Sequence, residues 1–356
     1  MEALSPKVML EQVQGLPRDL CELTEPVAQQ VRDVLGAEKW GQIGKVYLVG
    51  DGDSHHAACA TELAYESIAG VSCEPLSALR FVSYGADAMR LDGQQRILVI
   101  ATSASGETER VLEVIERARE HGASTLAITG TPGSAVTRIA DQFIVVALGH
   151  QTRSPGIRTY QASLLGMLLC AIRLGEARGA HPAAQSRAMH REITALASFI
   201  HTTNQLAGDR CRVLADRIAD APAMVMVGSG PNHGTAMFGA AKMIEAAGLI
   251  AVGQDIEEWW HVERFAYPVD MPVVVISPPG RSHQRAGAMA AKAAALGRRV
   301  IAVTDPDDAE VARHAEVVLP VCGRVREEFS PLLYHLFASH LACWVALCLG
   351  RRPFQR

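Results

Sequence analysis

The sequence predicts an α/β protein made of two tandem doubly wound parallel-sheet domains. Three observations carry this. The chain has an internal repeat, it alternates short apolar strands with helical segments, and each half opens on a strand that enters a Gly-rich turn. The repeat is read directly. VGDGDSHHAACATELAYESIAG from Val49 aligns without a gap, at an offset of 178, with VGSGPNHGTAMFGAAKMIEAAG from Val227. Valine, both glycines, a histidine, two alanines and the closing glycine coincide. Further on, RILVIATSASGET answers MPVVVISPPGRS, and HGASTLAITGTPGSAV answers LGRRVIAVTDPDDAEV. A length of 356 residues fits two domains at roughly 150 residues each.

The elements follow in the same order in each half. A strand (Val46 to Val49; Met224 to Val227) runs into the Gly turn and an Ala-rich helix, which closes near Gly70 and Gly248, where glycine suits a helix C-cap. A second strand (Ile97 to Ala101; Val273 to Ile276) precedes an amphipathic helix (Glu107 to Glu120; Ala286 to Leu296). A third strand (Thr125 to Thr129; Val300 to Thr304) leads through a turn to a fourth (Phe143 to Val146; Val317 to Val321). Apolar strands of four or five residues between helices mean a parallel sheet covered on both faces, with ligands at the C-terminal strand ends. The expected division is a helical segment over 1–36, a first domain over 37–175, a helical linker over 176–207 and a second domain over 208–356. The apolar stretch from Ser330 to Leu349 is interrupted by His335 and His340 and is expected as a buried helix rather than a membrane span.

Composition excludes several function classes. Hydrophobic residues make up 49% and charged residues 20%, as in an ordinary globular protein. The net charge of -4 gives no basic field for nucleic acid or an anionic membrane, so neither is expected as a partner. The N-terminus lacks the basic and apolar regions of a signal peptide, and eight scattered cysteines form no CxxC pair. The expectation is a cytoplasmic protein with free thiols. No Cys/His spacing suggests a metal site, and no cofactor is expected.

The loop Ser103-Ala104-Ser105-Gly106-Glu107-Thr108 follows a strand and opens a helix. Hydroxyls, a glycine and the free N–H groups of a helix N-terminus can cradle a phosphate. Its plainer reading is a cap, with Ser105 at the N-cap. The equivalent loop, Ser277-Pro278-Pro279-Gly280-Arg281-Ser282, has prolines there, so the fold does not need the hydroxyls for capping. Gly50-Asp51-Gly52-Asp53-Ser54 lacks the third glycine of a dinucleotide fingerprint and is read as a tight turn, with Ser54 as a second anion donor. The adjacent His55 and His56 cannot aim together at one metal from a helix. Lysine supplies only five of the 34 basic residues. One of them, Lys242, stands three positions before Glu245 among Ala, Met, Phe and Gly, on one helix face. That is either a structural ion pair or an acid–base pair. Trp259-Trp260-His261 is either a packing corner or a pocket wall carrying a histidine that titrates near neutrality.

Over nearly its whole length the chain resembles the tandem sugar-isomerase (SIS) domain proteins, most closely the isomerase half of glucosamine-6-phosphate synthase. Val8-Met9-Leu10-Glu11-Gln12 with Leu16-Pro17 is similar to the family's N-terminal "M-x-x-E-I-x-x-Q-P". SASGET resembles "S-Q-S-G-E-T", and Gly52-Asp53-Ser54 resembles "G-T-S". Ala241-Lys242-Met243-Ile244-Glu245 resembles "L-K-L-K-E", Glu258-Trp259-Trp260-His261 resembles "E-L-K-H", and Met271-Pro272-Val273 matches "M-P-V". The resemblance implies that Ser54, Ser103, Ser105 and Thr108 hold a sugar 6-phosphate, with Gly52 and Glu258 among the substrate contacts. It implies that Glu245 shuttles a proton between C1 and C2, that Lys242 supports the open-chain intermediate, and that His261, lent by the second subunit of a homodimer with shared active sites, opens the ring.

Departures qualify the inheritance. Ala104 replaces the family's glutamine, the tail Gly350 to Arg356 carries no lysine, Gly156-Ile157-Arg158 stands for "S-T-K", and the sequence starts at the isomerase half. Glutamine is therefore not expected as the nitrogen source. The expected activity is aldose–ketose isomerisation of a sugar or amino-sugar 6-phosphate, with or without amination or deamination at C2. A deglycase of amine–sugar-phosphate adducts, a non-catalytic sugar-phosphate regulator and a structural SIS pseudoenzyme are the rivals.

Overall fold

A computed structural model describes residues 4–34, 36–89, 95–150 and 152–354. The chain forms two five-stranded parallel sheets. The first comprises β1 (Ile43–Gly50), β2 (Ser72–Ser77), β3 (Arg96–Thr102), β4 (Ser124–Thr129) and β5 (Gln142–Val145), in the order β2-β1-β3-β4-β5. The second comprises β6 (Ala223–Val227), β7 (Ile250–Gln254), β8 (Pro272–Ser277), β9 (Arg299–Thr304) and β10 (Val317–Pro320), in the order β7-β6-β8-β9-β10. The two orders are the same, as the repeat requires. In each, the strand order reverses beside the first strand, which is where doubly wound sheets bind ligands.

The helices are α1 (Val8–Val34), α2 (Asp53–Ser67), α3 (Glu109–Glu120), α4 (Arg158–Ala177), α5 (Ala183–Ile218), α6 (Pro231–Ala247), α7 (Ile256–His261), α8 (His283–Ala295) and α9 (Leu336–Cys348), with shorter turns between. Central strands are mostly apolar because both faces are covered. All six residues of β8 are buried, as are all of β3 after Arg96. Helix α3 instead buries one stripe, Val111, Val114, Ile115 and Ala118, at the three-and-four spacing of an amphipathic helix.

Contacts divide the chain into two bodies. One comprises Arg18–His150 and Thr159–Ala195 and holds the first sheet. The other comprises Met1–Pro17, Gln151–Arg158 and Leu196–Arg356 and holds the second. Residues 4–17 thus group with the second sheet, and α5 runs through the division at 195/196 without a linker break.

The repeat extends to backbone detail. Gly52 (φ 54°, ψ -126°) caps α2, and Gly230 (φ 55°, ψ -129°) caps α6. L residues rarely adopt this conformation, so glycine is required at both turns for its backbone. Gly248 is the expected left-handed C-cap of α6, its N–H donating to Ile244 O. Gly70 has φ 65° but lies beyond Ile68, the C-cap of α2.

The apolar C-terminal stretch is not one helix. It forms a turn at Pro331–Tyr334 and then α9, parted at His335. Residues 331–348 are long and apolar enough to cross a membrane, but 83% of that window is buried inside the fold. All eight cysteines are unpaired.

Candidate active site

In the first sheet, β3 ends at Thr102 and the Ser103–Thr108 loop turns into α3. Ser103 is buried, and its Oγ lies 2.9 Å from Thr108 Oγ1 and 3.4 Å from Ser105 Oγ. The same oxygen accepts the Gly106 N–H at 3.0 Å, and Ser105 Oγ accepts the Glu107 N–H at 3.3 Å. Gly106 has φ 70°, and a Cβ there runs into the Ser134 side chain. The loop is held from below by its neighbour, because the Gly130 N–H and Thr131 Oγ1 both donate to Ala104 O, at 3.1 and 3.3 Å. Glu107 anchors the other side by accepting the Ala135 N–H at 2.9 Å.

The expected N-cap is displaced, although Ser103 and Ser105 do bond the local backbone. Thr108, not Ser105, is the N-cap of α3, and it makes no side-chain cap bond. The Ser105 and Thr108 hydroxyls both also approach that of Ser103. Ser54 lies in the first turn of α2, packed where a Cβ on Gly50 falls 2.6 Å from its own. Its strand, β1, pairs directly with β3, so both turns open at the reversal point of one sheet. Asp51, whose carboxylate accepts the Ala78 N–H at 3.0 Å, ties the Gly52 turn to the end of β2. His55 and His56 are turned apart, His55 toward Cys59 Sγ (3.7 Å) and His56 toward Asp53 (3.7 Å).

In the second sheet, Lys242 and Glu245 on α6 form a close pair, Nζ to Oε2 2.6 Å. The Lys242 side chain has no exposed surface, whereas Glu245 keeps 31%. Lys242 Nζ also sits 5.0 Å from the Phe238 ring centroid. Burying an amine of this kind is costly unless it is paired and further supported, and both residues have contacts beyond this pair. The arrangement presents a carboxylate at the surface, fixed from behind by a buried cation.

The C-terminal tail packs against the same turn. The Phe354 N–H donates to Glu245 O at 2.8 Å, Arg351 Nη1 donates to Ala247 O at 2.6 Å, and Arg153 stacks over the Phe354 ring at 5.7 Å. In the sequence this tail stands out only for its missing lysine. Its docking depends on a backbone N–H that no composition reports.

His261 is not drawn into that pair. It ends α7 with 64% of its side chain exposed, and its Nε2 lies 3.2 Å from Glu257 Oε1. Glu257 in turn is held by Arg285 at 2.6 and 2.8 Å, whose hydrogen bonds keep its carboxyl below the usual range. Glu258 is exposed on the same short helix. The pocket-wall reading of the tryptophans fails at Trp259, which is fully buried in the sheet core, while Trp260 is half-buried beneath Arg285 at 4.2 Å.

The SIS domain family model matches residues 42–173 and 217–348. A glutamine–fructose-6-phosphate aminotransferase from Thermococcus kodakarensis is 26% identical over 348 residues, covering 98% of this chain and 56% of its own length. One from Streptomyces coelicolor is 29% identical over 320 residues, covering 88% and 51%. The chain therefore spans about half the length of these relatives. Among solved structures, the C-terminal domain of glucosamine-fructose-6-phosphate aminotransferase from Francisella tularensis superposes with a TM-score of 0.88 at 18% identity, covering 98% of both chains. Tagatose-6-phosphate ketose/aldose isomerase from Escherichia coli gives 0.73 at 16% identity, covering 97% and 94%. Identities this low speak for the fold alone. The two family matches cover most of both halves, and the chain belongs to the SIS domain family, carrying the domain twice.

Proposed function

We propose that this protein is a phosphosugar aldose–ketose isomerase acting on a sugar or amino-sugar 6-phosphate, with Glu245 as the proton shuttle. The observation that carries the reading is the Lys242–Glu245 pair, a fixed carboxylate backed by a fully buried ammonium on an otherwise apolar helix. Structural ion pairs of this spacing normally lie on solvated faces and stabilise little.

In this reading Ser54, Ser103, Ser105 and Thr108 donate to the phosphate oxygens, and the Gly52 turn lets the backbone approach. The Glu245 carboxylate takes the proton from C2 of the open-chain aldose, leaving an enediol, and returns it to C1. The hydroxyl proton on O2 is given up as the one on O1 is gained, so the sugar leaves as the ketose with its atoms unchanged. Lys242 holds the carboxylate in position and offsets charge on the enediol oxygen. His261, with Glu258 nearby on α7, serves ring opening as a group exposed for a second copy of the chain. The working form is then a cytoplasmic homodimer. The names of the similar proteins, an amino-transferring isomerase and a ketose/aldose isomerase, support this chemistry without choosing the sugar.

The test is solvent-deuterium uptake. Hexose and hexosamine 6-phosphates are incubated with the protein in D2O, and label at C1 or C2 is followed by NMR alongside ammonia release. Label at C2 of an aldose, abolished in Glu245→Gln, is the expected result. Conversion or label that persists undiminished in Glu245→Gln, or no conversion and no label in any substrate, overturns the assignment. Ammonia release marks the deaminating variant of the reaction.

A further inference from the structure

The first body holds a recess of about 790 Å³ between α1, α4 and α5, and it shares no residue with the sites described above. Its floor is apolar: Val31, Leu169 and Ile172 are each at most 1% exposed. Its walls bring four guanidinium groups, Arg32, Arg173, Arg187 and Arg191, against two carboxylates, Glu25 and Glu176. Both carboxylates are already engaged, Glu25 by Arg32 at 2.8 Å and Glu176 by Arg173 at 2.7 Å. Arg187 and Arg191 have no ion-pair partner among the described residues. They stand four apart on α5, so their side chains leave the same helix face. Arg173 adds an independent sign. Its side chain is only 15% exposed, and its Nε–H is buried with no hydrogen-bond partner. Nearly all buried donors in folded proteins are satisfied.

We propose that this recess is a binding site for a small dianion carried on an apolar body, a phosphomonoester or a dicarboxylate. Two guanidinium groups one turn apart match the paired oxygens of such a head, because arginine binds carboxylate and phosphate through parallel N–H bonds. The buried floor takes the apolar body, and the volume falls within the range of small-molecule pockets. The two engaged pairs leave the walls with a surplus of two positive charges, which a dianion neutralises.

Calorimetry with phenyl phosphate, succinate and inorganic phosphate tests this, on the intact chain carrying Ser105→Ala and Thr108→Ala so that the loop after β3 does not contribute. Phenyl phosphate or succinate is expected to bind, whichever does so naming the head group, and inorganic phosphate to bind at least tenfold more weakly. Adding Arg187→Ala and Arg191→Ala is expected to weaken binding at least tenfold while thermal unfolding stays cooperative. Arg173→Lys, which keeps the charge and the Glu176 pair but lacks the buried Nε–H, is expected to weaken it less. Binding unchanged by the arginine replacements, equal binding of inorganic phosphate, or no binding of either organic anion overturns the proposal. So does a shift from dimer to monomer in the Arg187→Ala/Arg191→Ala variant by sedimentation, which makes the recess an interface between copies.

Discussion

The loop after β3 and the loop after β8 occupy the same place in two copies of one fold, and the loops that adjoin them differ in charge. In the first, Ser103 bonds Thr108 and Ser105, and the adjoining loop is the uncharged Gly130–Ser134. In the second, the equivalent Ser277 bonds His283 Nδ1 at 3.0 Å, and His283 Nε2 lies 3.3 Å from Asp308. The adjoining loop carries Asp305, Asp307 and Asp308, and Glu327 accepts the Arg281 N–H at 3.1 Å. A recess of about 410 Å³ remains beside these acids, opposed by Arg324. Carboxylates grouped around a helix N-terminus repel a phosphate and occupy the donors it needs. The helices after the Gly turns differ in the opposite sense. The first half has Ala64 and Ser67 where the second has Lys242 and Glu245. Under the proposed function each half carries what the other lacks: a hydroxyl loop for the phosphate in one, the Lys242–Glu245 pair in the other.

The largest expected effect attacks that division directly. Glu245→Gln keeps size and hydrogen bonding but removes basicity, which for a general base lowers the rate by about 10²–10⁴. Ser67→Ala, the same position in the first half, is expected to leave the rate unchanged, since Ser67 is exposed and its Oγ bonds Leu63 O within its own helix. Turnover measured for both variants checks the contrast, and equal losses erase it. Subunit exchange sharpens it further. If His261 acts across the dimer, Glu245→Gln and His261→Asn proteins, each inactive, are expected to regain activity when mixed. A mixed dimer then carries one site with both lesions and one with neither.

Acid is the next lever. Burial pushes His335 down to about 3 and His340 to about 4. Both belong to the second sheet's body, whereas α4, the corresponding helix of the first half, contains no histidine. The sign follows from proton binding. Below about 6.5 the unfolded chain takes up protons that the folded one refuses, so stability falls as pH drops. Each histidine contributes up to about 1.4 kcal/mol per pH unit, from about pH 6.5 down to its folded pKa. Urea midpoints between pH 7 and 4.5 are expected to fall. His335→Gln is expected to flatten the slope by about one proton, and hydrogen exchange to show β6, β8 and β9 losing protection before β1, β3 and β4. Loss in the reverse order contradicts the asymmetry.

Much of this division is legible in the sequence, and the rest is hidden for physical reasons. The repeat and the apolar strands reveal the central strands of both sheets, because burial on two faces leaves an unmixed apolar run. Edge strands β2 and β7 leave no such mark. Ser72–Ser77 carries Glu74 and Pro75, and Ile250–Gln254 carries Gly253, as suits a sheet edge. The hydroxyl loop announces itself because its three hydroxyls are neighbours in sequence. The acids beside the second loop do not, since Asp308 and Glu327 arrive from 25 or more residues away. The tryptophan pair misleads because alternation along a short helix puts Trp259 in the core and Trp260 outside.

The loop proposed to hold the phosphate gives a smaller effect. Hydrogen bonds to a charged group are worth roughly 1.5–3 kcal/mol each. Ser105→Ala with Thr108→Ala is therefore expected to raise KM for a phosphorylated substrate at least tenfold with little change in kcat. His283→Ala, in the second loop, is expected to leave KM within twofold. Inhibition by inorganic phosphate is expected to follow the same pattern, lost in the first variant and kept in the second. A KM shift of equal size from both loops means that the acids around His283 do not exclude the anion.

The two cap glycines give the finest comparison, because there the halves are alike. Gly52 and Gly230 share one strained backbone conformation, and a Cβ on either meets no atom within 4 Å. Alanine therefore costs only the conformational term, about 1–3 kcal/mol for a residue held in a sparsely populated region. Gly52→Ala and Gly230→Ala are expected to lower the stability of their own sheets by similar amounts, read by hydrogen exchange in β1 and β6. Their effects on function are expected to diverge. If the proposed function holds, replacing Gly52 shifts Ser54 from the phosphate and raises KM, whereas Gly230 opens a helix whose Lys242 and Glu245 lie three to four turns further on. An equal KM rise from both means that the Gly230 turn also contacts the substrate. An unequal stability loss means that one of the turns has a way to relax that its twin lacks.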